Sequence, residues 1–98
     1  MNIEQKRSGS ALTIAPEGYL DTTTAPELRA VLETALNGVT ELTFDFEKLE
    51  YISSSGLRQL LFAQKVMNEQ GTMKVIHANE TVREIFEVTG FADVLTIE

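Results

Sequence analysis

Three consecutive serines, Ser53, Ser54 and Ser55, followed by Gly56 and Leu57, are the part of this sequence best suited to chemistry. They stand between a predicted strand and the start of a predicted helix, where backbone N–H groups lack partners and the helix dipole is positive. A serine at such a place can cap the helix, and the same donors could hold a phosphoryl group on a modified serine. The residues alone leave capping and modification equally open.

Gly56 stands inside the first turn of that helix, where a glycine costs about 0.5–1 kcal/mol relative to alanine. A glycine kept at that cost often lets another backbone come close, because it has no side chain to obstruct the approach. We therefore expect Gly56 to allow a partner molecule to reach the serines.

The other polar groups form no recognisable catalytic or metal-binding set. Asp45, Glu47 and Glu50 lack the spacing of a ligand loop, which favours a solvated acidic edge over a metal site. His77 has no Ser or Asp partner at readable spacing, which favours a structural or surface role. Since the chain shows no nucleophile–base pair and no cofactor loop, we predict neither an enzyme nor a bound cofactor or metal.

Length and composition narrow the range of functions. The 98 residues suffice for a single domain, 1–98, and 43% of them are hydrophobic, as in ordinary globular proteins. The absence of cysteine excludes disulfides and thiolate chemistry. Eight basic and fifteen acidic residues give a net charge of −7, which opposes binding to nucleic acid. No apolar run approaches the ~18 residues of a membrane span, so we expect a cytoplasmic protein without membrane insertion.

Hydrophobic periodicity predicts alternating strands and helices. Strands are expected at 3–8, 11–15 (resuming at 18–20), 42–46, 73–76 and 94–97, and helices at 24–38, 54–71 and 79–90. The segment 47–53 is expected to lead into the serines, with Leu49 and Ile52 pointing inward. The order β-β-α-β-α-β-α-β predicts an α/β fold with right-handed crossovers. We expect a mixed, mostly parallel five-stranded sheet with helices packed mainly on one face.

Local signals predict how the helices begin. Thr24 and Glu27 have the spacing of a capping box at the first helix, and Pro26 stands in the first turn, where proline does no harm. Asn79 can cap the third helix through its side-chain oxygen.

The second helix carries two further features. Phe62 and Val66 form an apolar ridge opposite its sheet-facing side, which favours burial under a neighbouring helix over an interface. Arg58 and Lys65, seven residues apart on one face, could meet an acidic partner or simply contact solvent.

Three motifs together resemble the STAS family of anti-sigma-factor antagonists over nearly the whole chain. The strongest is 51–57, Tyr-Ile-Ser-Ser-Ser-Gly-Leu, which is similar to the family's apolar-Asp-Ser-Ser/Thr-Gly-Leu segment. The second is 18–21, Gly-Tyr-Leu-Asp, followed by a Thr-Ala-Pro-Glu-Leu helix start. The third runs from Val82 to Phe91 and resembles the family's helix that ends in a Gly-Leu/Phe step.

The resemblance implies a partner-switching role. An unphosphorylated antagonist binds an anti-sigma factor, commonly also a serine kinase, and a serine phosphatase resets the phosphorylated form. By position, the phosphoacceptor falls on Ser54, with Ser55 and Ser53 as alternates because Ser53 replaces the family's aspartate. The implied partner-binding surface comprises Asp21, Thr22, Ser53, Ser55, Gly56, Leu57 and Arg58.

The charges near the serines are compatible with such a switch. A phosphate on Ser54, beside Asp21 and downstream of Glu50, would bring like charges and a desolvation cost to the docking face. A loss of even ~3 kcal/mol would weaken binding more than a hundredfold.

A second reading of the same resemblance stays open. In it, the chain is a non-phosphorylated STAS subunit of an ABC-type lipid transport complex, an alternative kept open by the missing aspartate at Ser53. The chain ends at Glu98 after the last predicted strand, so we also expect the family's C-terminal helix to be absent. The oligomeric state is not predicted by the sequence.

Overall fold

The computed structural model describes residues 1–98. The elements, in chain order, are β1 (Ile3–Ser8), β2 (Ala11–Pro16), β3 (Gly18–Leu20), α1 (Ala25–Ala35), β4 (Glu41–Asp45), β5 (Leu49–Ile52), α2 (Ser54–Gln70), β6 (Thr72–Ile76), α3 (Glu80–Thr89) and a 3₁₀ turn (Phe91–Asp93). All three helices begin where the sequence predicts. None of them is long and apolar enough to cross a membrane.

The main sheet has the order β1-β2-β4-β6, with β1 and β2 antiparallel and the remaining pairs parallel. The mostly parallel α/β fold is therefore confirmed. The predicted fifth strand at 94–97 is reduced to one parallel bridge between Val75 and Ile97. Most of that segment cannot pair because Phe91–Asp93 winds into a 3₁₀ turn, which leaves Val94 half exposed.

A separate two-stranded sheet consists of β3 and β5, which run parallel. The prediction that residues 18–20 continue the second strand is wrong. Gly18 has a φ of +87°, in the left-handed region that favours glycine, and its N–H donates to the carbonyl of Lys48 at 2.9 Å. The chain therefore turns after Pro16 and pairs with the segment that leads into the serines.

The core lies on one face of the main sheet. Alternation on β2, β4 and β6 buries Leu12, Ile14, Leu42, Phe44, Met73 and Val75 in a cluster of 22 buried residues. On the opposite face Thr13 and Thr43 are half buried and Lys74 is exposed. Helices that packed on both faces would bury both sets of side chains, so the prediction of helices mainly on one face is confirmed.

The ridge on α2 is covered by α1. Phe62 and Val66 are partly buried against the core, and the Arg29 guanidinium lies 3.7 Å from the centroid of the Phe62 ring. An arginine over an aromatic face combines apolar contact with a cation–π attraction. The prediction that this ridge packs under a neighbouring helix is confirmed.

The caps of α1 and α3 differ from each other. Asn79 caps α3 as predicted, since its Oδ1 accepts from the N–H of Val82 at 2.8 Å. Thr24 makes no side-chain cap at α1, and its hydroxyl instead donates to the Tyr19 carbonyl at 2.7 Å. Glu27 binds the terminal amine of Met1 at 2.9 Å. The predicted capping box is therefore wrong.

Candidate functional site

The serine turn, residues 53–57, joins β5 directly to α2. Ser53 is the N-cap residue, with φ −97° and ψ 177°, and its Oγ accepts from the N–H of Gly56 at 3.4 Å. Its own N–H donates to the carbonyl of Leu20 at 2.9 Å, which anchors the turn to the end of β3. Ser53 is therefore the serine that caps α2.

The two following serines have different surroundings. Ser54 is the first residue of α2, is exposed, and its hydroxyl makes no hydrogen bond within the chain. Ser55 is half buried, and its Oγ lies 3.1 Å from the Oγ1 of Thr22. Of the three hydroxyls, that of Ser54 is the one both exposed and free.

Gly56 and Leu57 cannot belong to the contact surface of this turn. Leu57 is 3% exposed and belongs to the core. A Cβ on Gly56 would lie 2.7 Å from a side-chain carbon of Ile52 and 2.9 Å from both the side chain and the carbonyl oxygen of Leu20. The expectation that Gly56 admits a partner is wrong, because its missing side chain lets α2 pack closely on β3 and β5.

Asp21 follows β3 at the same edge of the small sheet. Its Oδ1 accepts from the N–H groups of Thr23 and Thr24 at 3.0 and 3.1 Å. The Thr24 N–H, and then that of Thr23, favours the ionised form and holds the pKa of Asp21 below its ordinary value, although burial opposes this. Asp21 is thus a fixed, partly exposed negative charge beside the serine turn.

A cleft of about 310 Å³ separates the starts of α1 and α2. This arginine cleft is lined by Thr22, Ala25, Pro26, Arg29, Ser55, Arg58 and Gln59. The structure therefore brings together Thr22, Ser55 and Arg58, three of the residues that the sequence assigns to partner binding. Arg58 is exposed.

The family model described as STAS domain matches residues 2–98 of the chain. The chain belongs to the STAS family. The anti-sigma-B factor antagonist of Staphylococcus aureus is 25% identical over 99 residues, which cover 99% of this chain and 92% of that protein. BtrV of Bordetella bronchiseptica, whose name marks it as a candidate anti-sigma factor antagonist, is 28% identical over 99 residues, with coverages of 99% and 85%.

Solved structures share the fold of this STAS domain. The anti-sigma factor antagonist SpoIIAA in its unphosphorylated form matches with a TM-score of 0.85 at 23% identity, covering 99% of this chain and 88% of SpoIIAA. The phosphorylated form of SpoIIAA from Bacillus matches with a TM-score of 0.76 at 22% identity, with coverages of 99% and 91%. At this level of identity the match shows the α/β fold of the STAS domain.

Sequence reasoning missed a pair of tyrosines on the small sheet of the STAS domain. Tyr19 and Tyr51 are register partners, are 56% and 40% exposed, and have ring centroids 6.2 Å apart. Tyr19 precedes Asp21 by two residues and Tyr51 precedes Ser54 by three, so both tyrosines stand on the strands that lead into the candidate site. Alternation within 18–20 and 49–52 could have placed both rings outward, but only the pairing of β3 with β5 brings them together.

A second missed contact joins His77 to Asp45. The Nδ1 of His77 lies 2.9 Å from the Oδ1 of Asp45, an exposed contact between residues 32 apart that sequence spacing could not indicate. His77 has a φ of +60°, a left-handed conformation in which histidine is enriched among non-glycine residues. Burial raises the pKa of Asp45, but the hydrogen bonds from His77 and the Glu47 N–H outweigh burial and leave the pKa lowered.

The contact between His77 and Asp45 is part of a cluster of three side chains that could ligate a metal. One possible ligand atom from each of Asp45, Glu47 and His77 lies within 4.8 Å of the others. Glu50, which the sequence groups with these carboxylates, is not part of this cluster. The donors of Asp45 and His77 are already engaged with each other, and the serine turn does not contribute to the cluster.

Proposed function

We propose that this STAS domain is an anti-sigma factor antagonist that binds an anti-sigma factor through the surface around Ser54 and is released when Ser54 is phosphorylated. The observation that carries the proposal is that the three serines make different contacts. Ser53 caps α2, Ser55 contacts Thr22, and Ser54 alone presents an exposed hydroxyl without a partner. A kinase needs an accessible hydroxyl, and Ser54 provides one on a rigid support.

The relatives support the regulatory part of the proposal. The similar protein of Staphylococcus aureus is an anti-sigma-B factor antagonist, and SpoIIAA has been solved in an unphosphorylated and a phosphorylated form. The partners proposed for this chain are an anti-sigma factor that is also a serine kinase and a serine phosphatase that removes the phosphate. The net charge of −7 argues against nucleic acid as a partner.

Electrostatics provides the reason for release. Phosphorylation adds about −1.5 to −2 charges at neutral pH. Asp21 is a fixed negative charge that follows β3, and the Ser53 N–H on the neighbouring strand end is bonded to the Leu20 carbonyl. A docking face shaped for a free hydroxyl next to one carboxylate would gain both repulsion and a desolvation cost when the phosphate arrives.

No catalytic role is proposed for the chain. The serine turn contains no histidine, and His77 contacts Asp45 rather than a serine. A serine nucleophile requires a base within hydrogen-bond reach, and the hydroxyl of Ser54 has none. Ser54 is therefore proposed as the substrate of another enzyme.

The test is phosphorylation by the serine kinase encoded beside the gene, with ATP and mass-spectrometric mapping of the modified residue. We expect one phosphate on the wild type, none on Ser54→Ala and one on the matched controls Ser53→Ala and Ser55→Ala. Phosphate uptake by Ser54→Ala at the wild-type rate would overturn the site. Absence of phosphate from the wild type would favour the non-phosphorylated transporter subunit instead.

Binding supplies an independent measurement. Ser54→Asp adds one negative charge without a phosphate, and we expect it to weaken binding to the anti-sigma factor by roughly tenfold, or about 1.4 kcal/mol. Calorimetric titration with the purified anti-sigma factor would measure this difference, and circular dichroism would check that the fold is kept. Equal affinities of wild type and Ser54→Asp would contradict release by charge repulsion.

A further inference from the structure

Arg58 is the one arginine of this chain that has no partner. Arg7 donates to three backbone carbonyls, those of Gly9, Ala35 and Asn37, and Arg83 donates to two, those of Ala78 and Glu98. Arg29 lies over a phenyl ring and beside Glu33. Arg58 makes no hydrogen bond and no ion pair, although acidic residues outnumber basic ones by fifteen to eight. An unpaired arginine in an acidic chain is available to bind an anion.

The helix places Arg58 next to Ser54. Both residues are exposed on α2 and are four positions apart, a spacing at which side chains of a helix are neighbours. Ser54 is the first residue of the helix, so a negative group on it also lies at the positive end of the helix dipole. A doubly charged group on Ser54 would therefore have Arg58 as its nearest cation along the helix.

The arginine cleft adds a second cation, because Arg29 lines it together with Arg58. The Arg29 side chain is 41% exposed, so part of it is open to solvent. A carboxylate oxygen of Glu33, one turn along α1, lies 3.5 Å from the Arg29 Nε. The Phe62 ring, 3.7 Å from the guanidinium carbon, holds Arg29 in place at the cleft.

Ser54 itself does not line the arginine cleft, although its neighbour Ser55 and Arg58 do. We propose that the phosphoryl group of phosphorylated Ser54 reaches the edge of this cleft, with Arg58 as its principal ligand and Arg29 as a second cation. The cleft is thus an intramolecular phosphate site. This inference rests on the proposed function, because that function makes Ser54 the phosphoacceptor. Arginine suits the role because its planar group of N–H donors matches phosphate oxygens.

The site gives phosphorylation a second effect on the docking face. The modification adds negative charge and, at the same time, withdraws the positive charge of Arg58 from any partner. A partner that presents a carboxylate to Arg58 would lose that contact when the phosphate binds the guanidinium. Release then depends on a lost attraction as well as on repulsion.

The test uses protein in which phosphoserine is installed at position 54 during translation, so that it needs neither the kinase nor the anti-sigma factor. Phosphorus NMR would follow the second ionisation of the phosphate, whose pKa is ordinarily about 6. We expect Arg58→Gln to raise this pKa by about half a unit relative to the parent, because a nearby cation favours the dianion. Arg58→Lys, which keeps the charge, should recover part of the difference.

Lys65→Gln is the matched control, because it removes a cation from the same helix outside the cleft. It should leave the phosphate pKa unchanged, while Arg29→Gln should raise it by less than Arg58→Gln does. In about 1 M salt the difference between the parent and Arg58→Gln should shrink, as expected for an exposed charge pair.

Identical pKa values for the parent and Arg58→Gln would overturn the proposal, as would an equal rise in Lys65→Gln. Failure of a kinase to modify Ser54 would count against the proposed function but would leave this measurement intact. The two ideas can therefore fail separately.

Discussion

The Oγ of Ser55 lies 3.1 Å from the Oγ1 of Thr22, and this hydrogen bond joins the first turn of α2 to the loop that follows β3. The N–H of Ser53 donates to the carbonyl of Leu20 close by, so a backbone bond and a side-chain bond tie the same two segments. One segment carries Asp21 and the other carries Ser54. The position of the carboxylate relative to the candidate phosphoacceptor therefore depends on these two bonds.

The side-chain bond can be measured by a double-mutant cycle of Thr22→Val and Ser55→Ala. Each single variant should lower the free energy of unfolding by about 0.5–1 kcal/mol, since both hydroxyls have access to water once separated. The double variant should cost less than the sum, with a coupling of about 0.5 kcal/mol in urea unfolding. Strict additivity of the two single effects would mean that the contact contributes nothing to stability.

A second prediction concerns Gly56. At an ordinary helix position Gly→Ala stabilises by about 0.5–1 kcal/mol through helix propensity. Here the added methyl group would meet Ile52 and the carbonyl of Leu20 at 2.7 and 2.9 Å, and overpacking of this kind costs about 1–3 kcal/mol. We expect Gly56→Ala to lower the free energy of unfolding by about 1–2 kcal/mol, measured by denaturant unfolding.

The sign of the Gly56→Ala effect distinguishes the two explanations for this glycine. If Gly56 served only to admit a partner, the alanine variant would be more stable than the wild type and would lose affinity alone. Ser54→Ala, two residues earlier in the helix and exposed, is the matched control and should change stability by less than about 0.5 kcal/mol.

Much of the fold could be predicted because its signals are local. The Asn79 cap and Gly90, with a φ of +81°, delimit α3 as residue preference alone suggests. The bounds of α2 follow from apolar spacing between the serine turn and Gly71. These features depend on residues close together in the sequence, so one chain suffices to find them.

One of the errors concerns a pairing between distant residues. Nothing near Gly18 or Leu49 indicates that their strands pair, and without that pairing the Tyr19–Tyr51 contact cannot be foreseen. The Thr24 hydroxyl has the right spacing for a cap, yet the Tyr19 carbonyl is a competing acceptor supplied by the turn after β3. This second error is local, since a side-chain bond to a nearby backbone carbonyl competes with capping.

The serine turn was predictable as a candidate site, but the different surroundings of its members were not. Sequence alone treats Ser53, Ser54 and Ser55 as alternatives, because each can cap or be modified. The structure separates them through two contacts, with Gly56 and with Thr22, that depend on backbone geometry and on a loop 33 residues away. Burial likewise removes Leu57 from the candidate contact surface, since the core requires it.

The last prediction concerns the pH dependence of the contact between Asp45 and His77. The folded-state pKa of Asp45 is below its ordinary value because the hydrogen bonds from His77 and the Glu47 N–H outweigh burial. A carboxyl whose pKa is lowered by folding stabilises the fold above its unfolded pKa, about 3.9, and this contribution is lost as pH falls through the folded pKa.

Asp45→Asn should therefore reduce stability at pH 7 and should lose this deficit below about pH 4. The effect should stay under about 1 kcal/mol because the His77 side chain is exposed and solvent screens the pair. Urea unfolding of both proteins between pH 2.5 and 7 would measure it, with Glu50→Gln as an exposed control that should show no such trend. A deficit of Asp45→Asn that is equal at pH 2.5 and pH 7 would show that the charge of Asp45 is not its source.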